Sequence, residues 1–382
     1  MRTKGLSKTE LYATLQEAFS ADLKYQDGRI LCSMCSKPHP AANKARKMFS
    51  ESNLGDPRLF SGSAKLEREA VSSLNELMHG PPNVSGFIVS GGTEANLMAM
   101  HAARNASKVS EPEVVVPESA HFSFDKICDM LKLKLVKATL GDGFKVNPPS
   151  VKRLVNANTV AIVANAGSAE LGTLDPISEL SQIAQEAGIP LHVDAAFGGL
   201  ILPFMKDVGY AVDDFDFGLE GVQSITVDPH KMGLAPIPAG GILFRDEKSL
   251  QCIRTETPYL SERYQYTFVG TRSGASAAAV WTIFESMGRE GFRKTVKHCM
   301  NLTMFLFEEL KKAGFEVVVK PTLNIVAFRS SSTKKLTDQL RTKGWYVSYI
   351  PRLDCIRVVL MPHSKKQHIK DFLRALRQDD KI

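Results

Sequence analysis

Short apolar runs alternate with helix-like stretches through the middle of this chain, from about residue 86 to residue 244. Stretches 94–106 and 177–187 have the length and apolar spacing of helices. Apolar strands that alternate with helices are typical of an α/β domain, in which helices cover both faces of a mostly parallel sheet. The predicted strands are 86–90, 113–116, 133–137, 160–164, 191–193, 223–227 and 241–244. The sequence therefore predicts an α/β domain with a mostly parallel seven-stranded sheet.

A different pattern follows residue 255. A long helical region covers 275–312, and we expect Gly288 and Gly291 to break it. A small α+β unit is predicted beyond this region, with helices at 333–343 and 364–377 and strands at 315–319, 323–328, 345–350 and 356–360.

The chain thus divides into three predicted parts. Residues 1–60 form an N-terminal segment, residues 61–255 a large domain and residues 256–382 a small C-terminal domain. The N-terminal segment contains a predicted amphipathic helix at 8–24, and the large domain opens with a second helix at 64–78.

Composition and charge exclude several classes of protein. The chain has 382 residues, of which 43% are hydrophobic and 23% are charged, as in ordinary globular proteins. Its net charge is +7, but the basic residues are spread along the chain without a recognition motif, so we do not expect nucleic-acid binding. We find no apolar run near the roughly 20 residues that a membrane helix needs, and no secretory signal in residues 1–10. A cytoplasmic location without membrane attachment is expected.

Six cysteines are distributed too widely to suggest a disulfide framework. Cys32 and Cys35 form a lone Cys-x-x-Cys pair, which can be a redox pair or half of a zinc site. There is no second such pair, and His39 and His298 are poor candidates to complete a tetrahedral site. We therefore expect no metal ion.

A lysine and an aspartate follow two of the predicted strands. Lys231 comes after His230, just beyond strand 223–227, and Asp194 follows strand 191–193. A lysine amine forms a Schiff base with pyridoxal phosphate (PLP), and an aspartate carboxylate keeps the pyridine nitrogen of PLP protonated. Since the amine must be neutral to attack, we expect burial and neighbouring cationic groups to lower the pKa of Lys231.

Gly91, Gly92 and Thr93 precede the predicted helix 94–106. Glycines let the backbone approach a phosphate closely, and the first N–H groups of a helix attract anions. An ordinary helix cap by Thr93 uses the same geometry. This segment is a candidate phosphate site that the motif alone does not establish.

In several segments the chain resembles the group II PLP-dependent amino-acid decarboxylases, and among them the archaeal L-tyrosine/L-aspartate decarboxylases. The segments occur in the family's order and cover nearly the whole chain. They are 53–57 (NLGDP), 90–96 (SGGTEAN), 120–123 (AHFS), 192–199 (HVDAAFGG), 228–233 (DPHKMG), 270–272 (GTR) and 356–358 (IRV). The resemblance implies a fold-type I PLP-dependent transferase fold, with a large and a small domain, and a homodimer.

The resemblance also implies roles for residues around the cofactor. His121 would stack on one ring face, and Ala196 is small enough to pack against the other face. Ser168 would approach the phenolic oxygen of PLP. Thr226 and His230 would be further phosphate or pocket donors. Gly270 and Thr271 would complete the phosphate site from a neighbouring subunit.

Two residues are candidates for binding the substrate. Arg357 lies in an apolar strand-like run, where an unpaired charge is costly. It either has an internal acidic partner or makes a two-pronged contact with the substrate α-carboxylate, as the resemblance suggests. Asn53, in the segment 53–57, is expected to contribute across the subunit boundary.

The residue that protonates the reaction product is left open. Larger relatives use a tyrosine on a mobile loop, but the corresponding segment 257–270 is short here. It contains Tyr259, Tyr264 and Tyr266, none of which aligns securely with that tyrosine. His121 is an alternative donor.

The implied activity is decarboxylation of an L-amino acid. The resemblance indicates L-tyrosine to tyramine, for methanofuran in methanogens, and L-aspartate to β-alanine, for coenzyme A in other archaea. Two alternatives stay open at this point. One is another PLP-dependent carbon–carbon lyase, similar to sphingosine-phosphate lyase, and the other is a non-catalytic metal-binding or nucleic-acid-binding protein.

Overall fold

The computed structural model describes residues 1–379 and contains a central seven-stranded sheet. Its strands are β1 Ser85–Val89, β2 Glu113–Pro117, β3 Lys134–Ala138, β4 Thr159–Asn165, β5 Leu191–Asp194, β6 Val222–Val227 and β7 Gly240–Phe244. They are ordered β1-β7-β6-β5-β4-β2-β3, and β7 is antiparallel to both of its neighbours whereas the other pairs are parallel. The predicted mostly parallel sheet is confirmed.

Helices cover both faces of this sheet. The helices of residues 1–379, not all of which contact this sheet, are α1 Lys8–Ala21, α2 Pro40–Met48, α3 Ser61–Leu77, α4 Gly92–Ala106, α5 Ser123–Leu131, α6 Pro148–Leu154, α7 Ile177–Ala187, α8 Leu202–Met205, α9 Glu247–Gln251, α10 Gly274–Lys312, α11 Thr333–Thr342 and α12 Lys366–Asp379. Successive residues of one strand enter opposite layers, as β-strand geometry requires. Val114 and Val116 pack in the layer that contains Ile127 of α5, and Val115 packs in the layer that contains Leu180 of α7.

The C-terminal part of the chain forms a second, smaller sheet. Its strands are β10 Glu316–Val317, β11 Ile325–Arg329, β12 Ser348–Ile350 and β13 Cys355–Val359, and they are ordered β10-β11-β13-β12 with antiparallel pairing. A short hairpin, β8 Thr255–Glu256 with β9 Tyr264–Gln265, precedes α10. The small α+β unit is confirmed, while the exact boundaries of the three parts stay a prediction.

Helix α10 connects the two sheets as one element of 39 residues. Gly288 interrupts its helical backbone with φ 52° and ψ −177°, so the predicted break at this residue is confirmed. Gly291 retains helical geometry, and the break predicted there is wrong. A lone glycine weakens a helix by only about 1 kcal/mol, which the packing of α10 against α2 and α3 readily offsets.

The N-terminal segment contains two contrasting parts. Leu31 is fully buried in the core of the small sheet, and its carbonyl accepts a hydrogen bond from Val359 N at 2.8 Å. Helix α1, in contrast, buries none of its residues, and Leu11, Leu15 and Phe19 are exposed. The predicted amphipathic helix therefore exists, but no residue of it is buried against another part of residues 1–379. No helix within residues 1–379 is long and apolar enough to cross a membrane.

Candidate active site

A cavity of about 330 Å³ opens at the carboxyl ends of the central strands. Asn165 ends β4, Asp194 ends β5, and Asp228 directly follows β6, and all three line the cavity. The first turn of α4 forms another wall. Ligands bind outside the carboxyl ends of the strands in open α/β sheets, so this cavity is the candidate active site.

Eight of the predicted site residues line this cavity. They are Gly91, Gly92, Thr93, His121, Asp194, Ala196, His230 and Lys231. The structure thus brings together the lysine, the aspartate and the glycine segment, which are separated by up to about 140 positions in the sequence.

Lys231 forms an ion pair inside the cavity. Its Nζ lies 3.0 Å from Asp228 Oδ2. Burial disfavours the charged ammonium, but the charges of Asp228 and Asp194 outweigh burial and raise the pKa of Lys231 above its ordinary value. The sequence-based expectation of a lowered pKa is therefore wrong, because the near neighbours are carboxylates rather than cations.

Asp194 is held by two neutral donors. Its Oδ1 accepts from Ala196 N at 3.1 Å, and its Oδ2 accepts from Asn96 Nδ2 at 2.9 Å. Each carboxylate oxygen has a second lone pair, and Asp194 lines the cavity. The carboxylate can therefore also accept a hydrogen bond from a protonated ring nitrogen placed there.

Asn96 is a functional residue that the sequence analysis missed. Its Oδ1 accepts from Thr226 Oγ1 at 2.7 Å and pairs with His192 Nε2 at 3.0 Å. Burial lowers the pKa of His192 to about 4, so its ring is neutral. Nε2 then carries the ring proton toward Asn96, and Nδ1 accepts from the Ser224 hydroxyl at 2.8 Å. A polar residue on the buried face of α4 was the signal that could have identified Asn96.

Thr226 does not line the cavity, contrary to the prediction. It is fully buried on β6, and its hydroxyl donates to Asn96. Since side chains alternate along a strand, Thr226 shares the sheet face of α4 rather than pointing beyond the strand end. It supports Asp194 through Asn96, and its predicted contact with a phosphate stays a prediction.

The start of α4 has the geometry of an anion site. Gly91 is the N-cap residue, and no side chain caps the helix, so the alternative of a cap by Thr93 is wrong. A Cβ at Gly92 would lie 3.0 Å from Asp228 Oδ2, and a Cβ at Gly91 would lie 3.2 Å from His230 Cε1. The residues of this first turn line the cavity, where N–H groups without an intrahelical partner can bind an anion.

His121 and Ala196 lie on the cavity wall as predicted. His121 Nδ1 accepts from Ser123 N at 3.2 Å, which leaves the proton of the neutral ring on Nε2. Burial lowers the pKa of His121, although Asp194 acts in the opposite direction. The neutral ring can stack on a flat ligand and carries a donor.

Ser168 lies outside the cavity wall, although Gly167 and Ala169 belong to it. Its hydroxyl is 2.8 Å from Thr173 Oγ1 and accepts from Thr173 N at 3.1 Å. These bonds close the loop that follows β4. The predicted contact of Ser168 with the phenolic oxygen of a cofactor stays a prediction.

Three further predicted residues lie away from the cavity of their own chain. Asn53 uses its Oδ1 to accept from Gly55 N at 2.7 Å, which forms a local turn. Gly270 and Thr271 are exposed, and Gly270 O accepts from Gln265 Nε2 at 3.0 Å. A contribution of these residues to the site of a neighbouring subunit stays a prediction.

Arg357 lies behind the cavity wall and joins three segments. Its guanidinium donates to the carbonyls of Ala169 and Cys32 and to Ser348 Oγ, all of which are uncharged. Burial lowers the pKa of Arg357, and its buried Nε has no hydrogen-bond partner within residues 1–379. The hydrogen bonds do not include the internal acidic partner that the sequence analysis considered.

Neither the tyrosines nor the cysteines build a second site here. Tyr259, Tyr264 and Tyr266 are absent from the cavity lining. Cys32 and Cys35 are free thiols, and burial raises the pKa of both. No group of three or more His, Cys, Asp or Glu side chains within the described part of the chain is arranged for a metal ion.

Comparison with known proteins identifies the family. Residues 61–331 match the family described as "Pyridoxal-dependent decarboxylase conserved domain". The chain belongs to this family of PLP-dependent decarboxylases. A "Probable L-tyrosine/L-aspartate decarboxylase" of Methanothermobacter thermautotrophicus is 51% identical over 93% of this chain and 98% of its own length. An "L-aspartate decarboxylase" of Thermococcus kodakarensis is 47% identical over 98% of each chain.

Solved structures show the same fold. The sphingosine-1-phosphate lyase of Burkholderia pseudomallei superimposes with a TM-score of 0.92 at 27% identity, and covers 99% of this chain and 91% of that one. The glutamate decarboxylase of Lactobacillus brevis has a TM-score of 0.89 at 22% identity, and covers 99% and 93%. The fold-type I prediction for this decarboxylase is confirmed.

PLP is the cofactor of the family, and the residues of the cavity fit it. An amine, a carboxylate with free lone pairs and an uncapped helix start face one space. They match the aldehyde, ring nitrogen and phosphate of PLP respectively.

The Asn96 contact with Asp194 leads to a first prediction. Asn96→Leu removes a hydrogen bond to a charged group and leaves Thr226 and His192 without their acceptor. Such bonds contribute roughly 1.5–3 kcal/mol, so we expect PLP affinity to fall about tenfold or more, as measured by equilibrium titration. Asn105→Leu, on the exposed side of the same helix, is the matched control and should bind PLP normally. Unchanged affinity in Asn96→Leu would remove Asn96 from the site.

The contact of β7 with the start of α4 leads to a second prediction. A Cβ at Gly240 would overlap the backbone of Gly91, so Gly240→Ala should separate strand and helix. We expect destabilisation of about 1–3 kcal/mol, measured by denaturant unfolding, together with weaker PLP binding. Gly62→Ala is the control, because a Cβ there meets nothing within 4 Å and alanine favours the helix. Equal stability of Gly240→Ala and Gly62→Ala would contradict the close contact.

Proposed function

We propose that this chain decarboxylates L-tyrosine to tyramine, L-aspartate to β-alanine, or both. The observation that carries the proposal is the placement of Lys231 and Asp194 in one cavity of a PLP-dependent decarboxylase. The two residues approach from the carboxyl ends of neighbouring parallel strands. That arrangement presents an amine and a carboxylate to opposite ends of one planar cofactor.

Each catalytic residue has a defined task in this proposal. Lys231 binds the cofactor aldehyde through its amine and yields that position to the substrate amine. Asp194 keeps the ring nitrogen protonated, which requires the carboxylate to stay ionised and oriented by Asn96. The bound cofactor supplies a ring that withdraws electrons from the bond to the leaving carboxylate. His121 would cover the ring, and its Nε2 holds a proton that it could donate to the reacting carbon.

The remaining cavity residues position the cofactor. The start of α4 at Gly91, Gly92 and Thr93 receives the phosphate, and the helix dipole favours its negative charge. Ala196 packs against the ring. His230 narrows the cavity beside Gly91, where its Cε1 leaves room for no side chain.

Arg357 is proposed to bind the substrate α-carboxylate. Its three hydrogen bonds go to uncharged acceptors, and its Nε is free within the described residues. Ala169, which accepts one of these bonds, lines the cavity. A small shift of this loop would expose the guanidinium to a carboxylate, for which a planar two-pronged contact is suited.

The choice of substrate and pathway is the finer part of the proposal. Relatives named for L-tyrosine/L-aspartate decarboxylation and for L-aspartate decarboxylation are similarly identical to this chain. Tyramine would serve methanofuran synthesis, and β-alanine would serve coenzyme A synthesis. Incubation with each proteinogenic amino acid, followed by identification of the amine product, decides between them. The cytoplasmic location stays a prediction.

A second candidate is a PLP-dependent carbon–carbon lyase similar to sphingosine-phosphate lyase. The observation in its favour is the TM-score of 0.92 with such a lyase at 27% identity. The two activities differ in their products, because only a decarboxylase releases CO₂ from an amino acid. Release of CO₂ with an amine favours our proposal, and an aldehyde product from an amino-alcohol phosphate favours the lyase.

We also propose that the protein is a homodimer. Leu11, Leu15 and Phe19 expose an apolar face along α1, which a second copy would cover. The exposed Gly270 and Thr271 would then lie near the phosphate site of that copy.

The role of Lys231 is tested by covalent trapping. Borohydride should bleach the visible band of the holoenzyme and leave PLP attached to Lys231, as detected by peptide mapping. Lys231→Ala should lose both the label and the amine product, because no other lysine lines the cavity within residues 1–379. Label on another lysine would contradict the assignment.

The role of Arg357 is tested with Arg357→Lys. This change keeps the charge but loses the two-pronged geometry, so we expect kcat/KM to fall about tenfold or more, equivalent to roughly 1.4 kcal/mol. PLP binding should survive, and tyrosine and aspartate should be affected alike, since both carry the α-carboxylate. A lower melting temperature with normal turnover would instead indicate that Arg357 only joins its three segments.

The dimer is tested on α1. Leu11→Ser combined with Leu15→Ser should shift sedimentation from dimer to monomer, because burying this more polar face against a second copy would stabilise the dimer less. Glu17→Gln on the same helix is the control. A wild-type chain that sediments as an active monomer at assay concentration would rule out the dimer.

A further inference from the structure

Asp228 is a cavity residue to which no role has yet been given. It directly follows β6, is 3% exposed, and its Oδ2 lies 3.0 Å from Lys231 Nζ. Its Oδ1 is buried without a hydrogen-bond partner among the described residues. Burying a carboxylate that has one oxygen paired with an ammonium and the other oxygen unpaired costs folding free energy. The position of Asp228 therefore suggests a functional role for its charge.

The backbone fixes the distance between Asp228 and Lys231. Lys231 N donates to Asp228 O at 3.0 Å, which closes a turn, and Asp228 N donates to Ala196 O at 3.2 Å. Both side chains therefore leave the same tight turn and meet in the cavity. A Cβ at Gly92 would lie 3.0 Å from Asp228 Oδ2, so the positive end of α4 also approaches the carboxylate.

Other groups around Lys231 do not replace this carboxylate. Asp194 and the Cys35 thiol act on Lys231 electrostatically, and His121 faces the same cavity. His230 Nε2 lies 3.7 Å from Asp228 Oδ2, but Nδ1 of this ring is 2.7 Å from Ala239 O and therefore carries the proton of the neutral form. Asp228 is thus the carboxylate in direct contact with the reacting nitrogen.

We propose that Asp228 is the counter-ion of the charged nitrogen after Lys231 has condensed with the cofactor aldehyde. The inference rests on the proposed role of Lys231. In the condensation, Nζ bonds to the aldehyde carbon, and the aldehyde oxygen leaves as water with two of the three ammonium protons. The third proton stays on nitrogen, which keeps its positive charge in the new C=N bond.

Pairing with Asp228 would also affect how readily the C=N bond reacts. A protonated C=N carbon is a better electrophile than a neutral one, so the substrate amine displaces Lys231 faster when the charge is retained. Because Nζ is the same atom before and after condensation, the carboxylate that pairs with the ammonium also faces the C=N nitrogen. The free Oδ1 provides a second acceptor for a donor on the ligand.

The test is a pH titration of the visible band of the holoenzyme, which reports protonation of the C=N nitrogen. Asp228→Asn removes the negative charge and keeps the size, so the charged form loses its stabilisation and the midpoint should fall by about one pH unit or more. Asp228→Glu should restore most of the shift. Asp216→Asn is the matched control, because Asp216 is a buried carboxylate paired with His79 away from the cavity.

Two results would overturn the inference. One is a midpoint in Asp228→Asn that equals or exceeds that of the wild-type protein. The other is complete loss of the covalent link in Asp228→Asn, which would place Asp228 in cofactor binding instead. Both differ from failure of the proposed function, in which borohydride would not label Lys231 even in the wild-type holoenzyme.

Discussion

Parallel pairing of β4, β5 and β6 brings three carboxyl ends to one edge of the sheet. In this pairing Asn165 lies opposite Asp194, and Asp194 lies opposite Thr226. A slip by one residue would move every side chain of a strand to the other face. Asp194 would then leave the cavity. The turn that carries Asp228 and Lys231 would also be displaced along the strand axis relative to Asp194. The register of these three strands is therefore the constraint on which the site depends.

The register is supported by a buried polar network beneath the cavity. Thr226 and His192 hold Asn96, and Asn96 holds Asp194, so strands β5 and β6 and helix α4 share one set of hydrogen bonds. All of these partners are neutral, and the carboxylate of Asp194 lines the cavity. The environment of Lys231 differs from that of Asp194, because the partner of Lys231 is a carboxylate that favours its charged form. The two ends of the cavity thus differ in electrostatic character.

Much of the fold could be predicted because most strands of the central sheet are buried along their length and therefore appear as continuous apolar runs. Lys231 and Asp194 could be predicted for a related reason, since each lies just beyond such a run. Asn96 could not, because the helix face that meets Asp194 depends on how α4 packs. Thr226 and Ser168 were predicted as cofactor contacts from their residue types, but neither lines the cavity, because their orientation depends on strand parity and loop closure. Helical periodicity identified α1, but it does not show which surface packs against the apolar face of this helix.

The contact between Gly240 and Gly91 also limits how this sequence can change over evolutionary time. Strand β7 and the start of α4 touch backbone to backbone, so Gly240 has no room for a side chain, whereas a Cβ at Gly91 would point toward His230 instead of β7. A change at Gly91 could not relieve a side chain at Gly240, because backbone atoms of Gly91 fill that space whatever its side chain. Substitutions elsewhere in the cavity wall can therefore accumulate while strand β7 and the start of α4 keep their places. Members of one fold can therefore differ in substrate preference while the proposed phosphate site at the start of α4 stays the same.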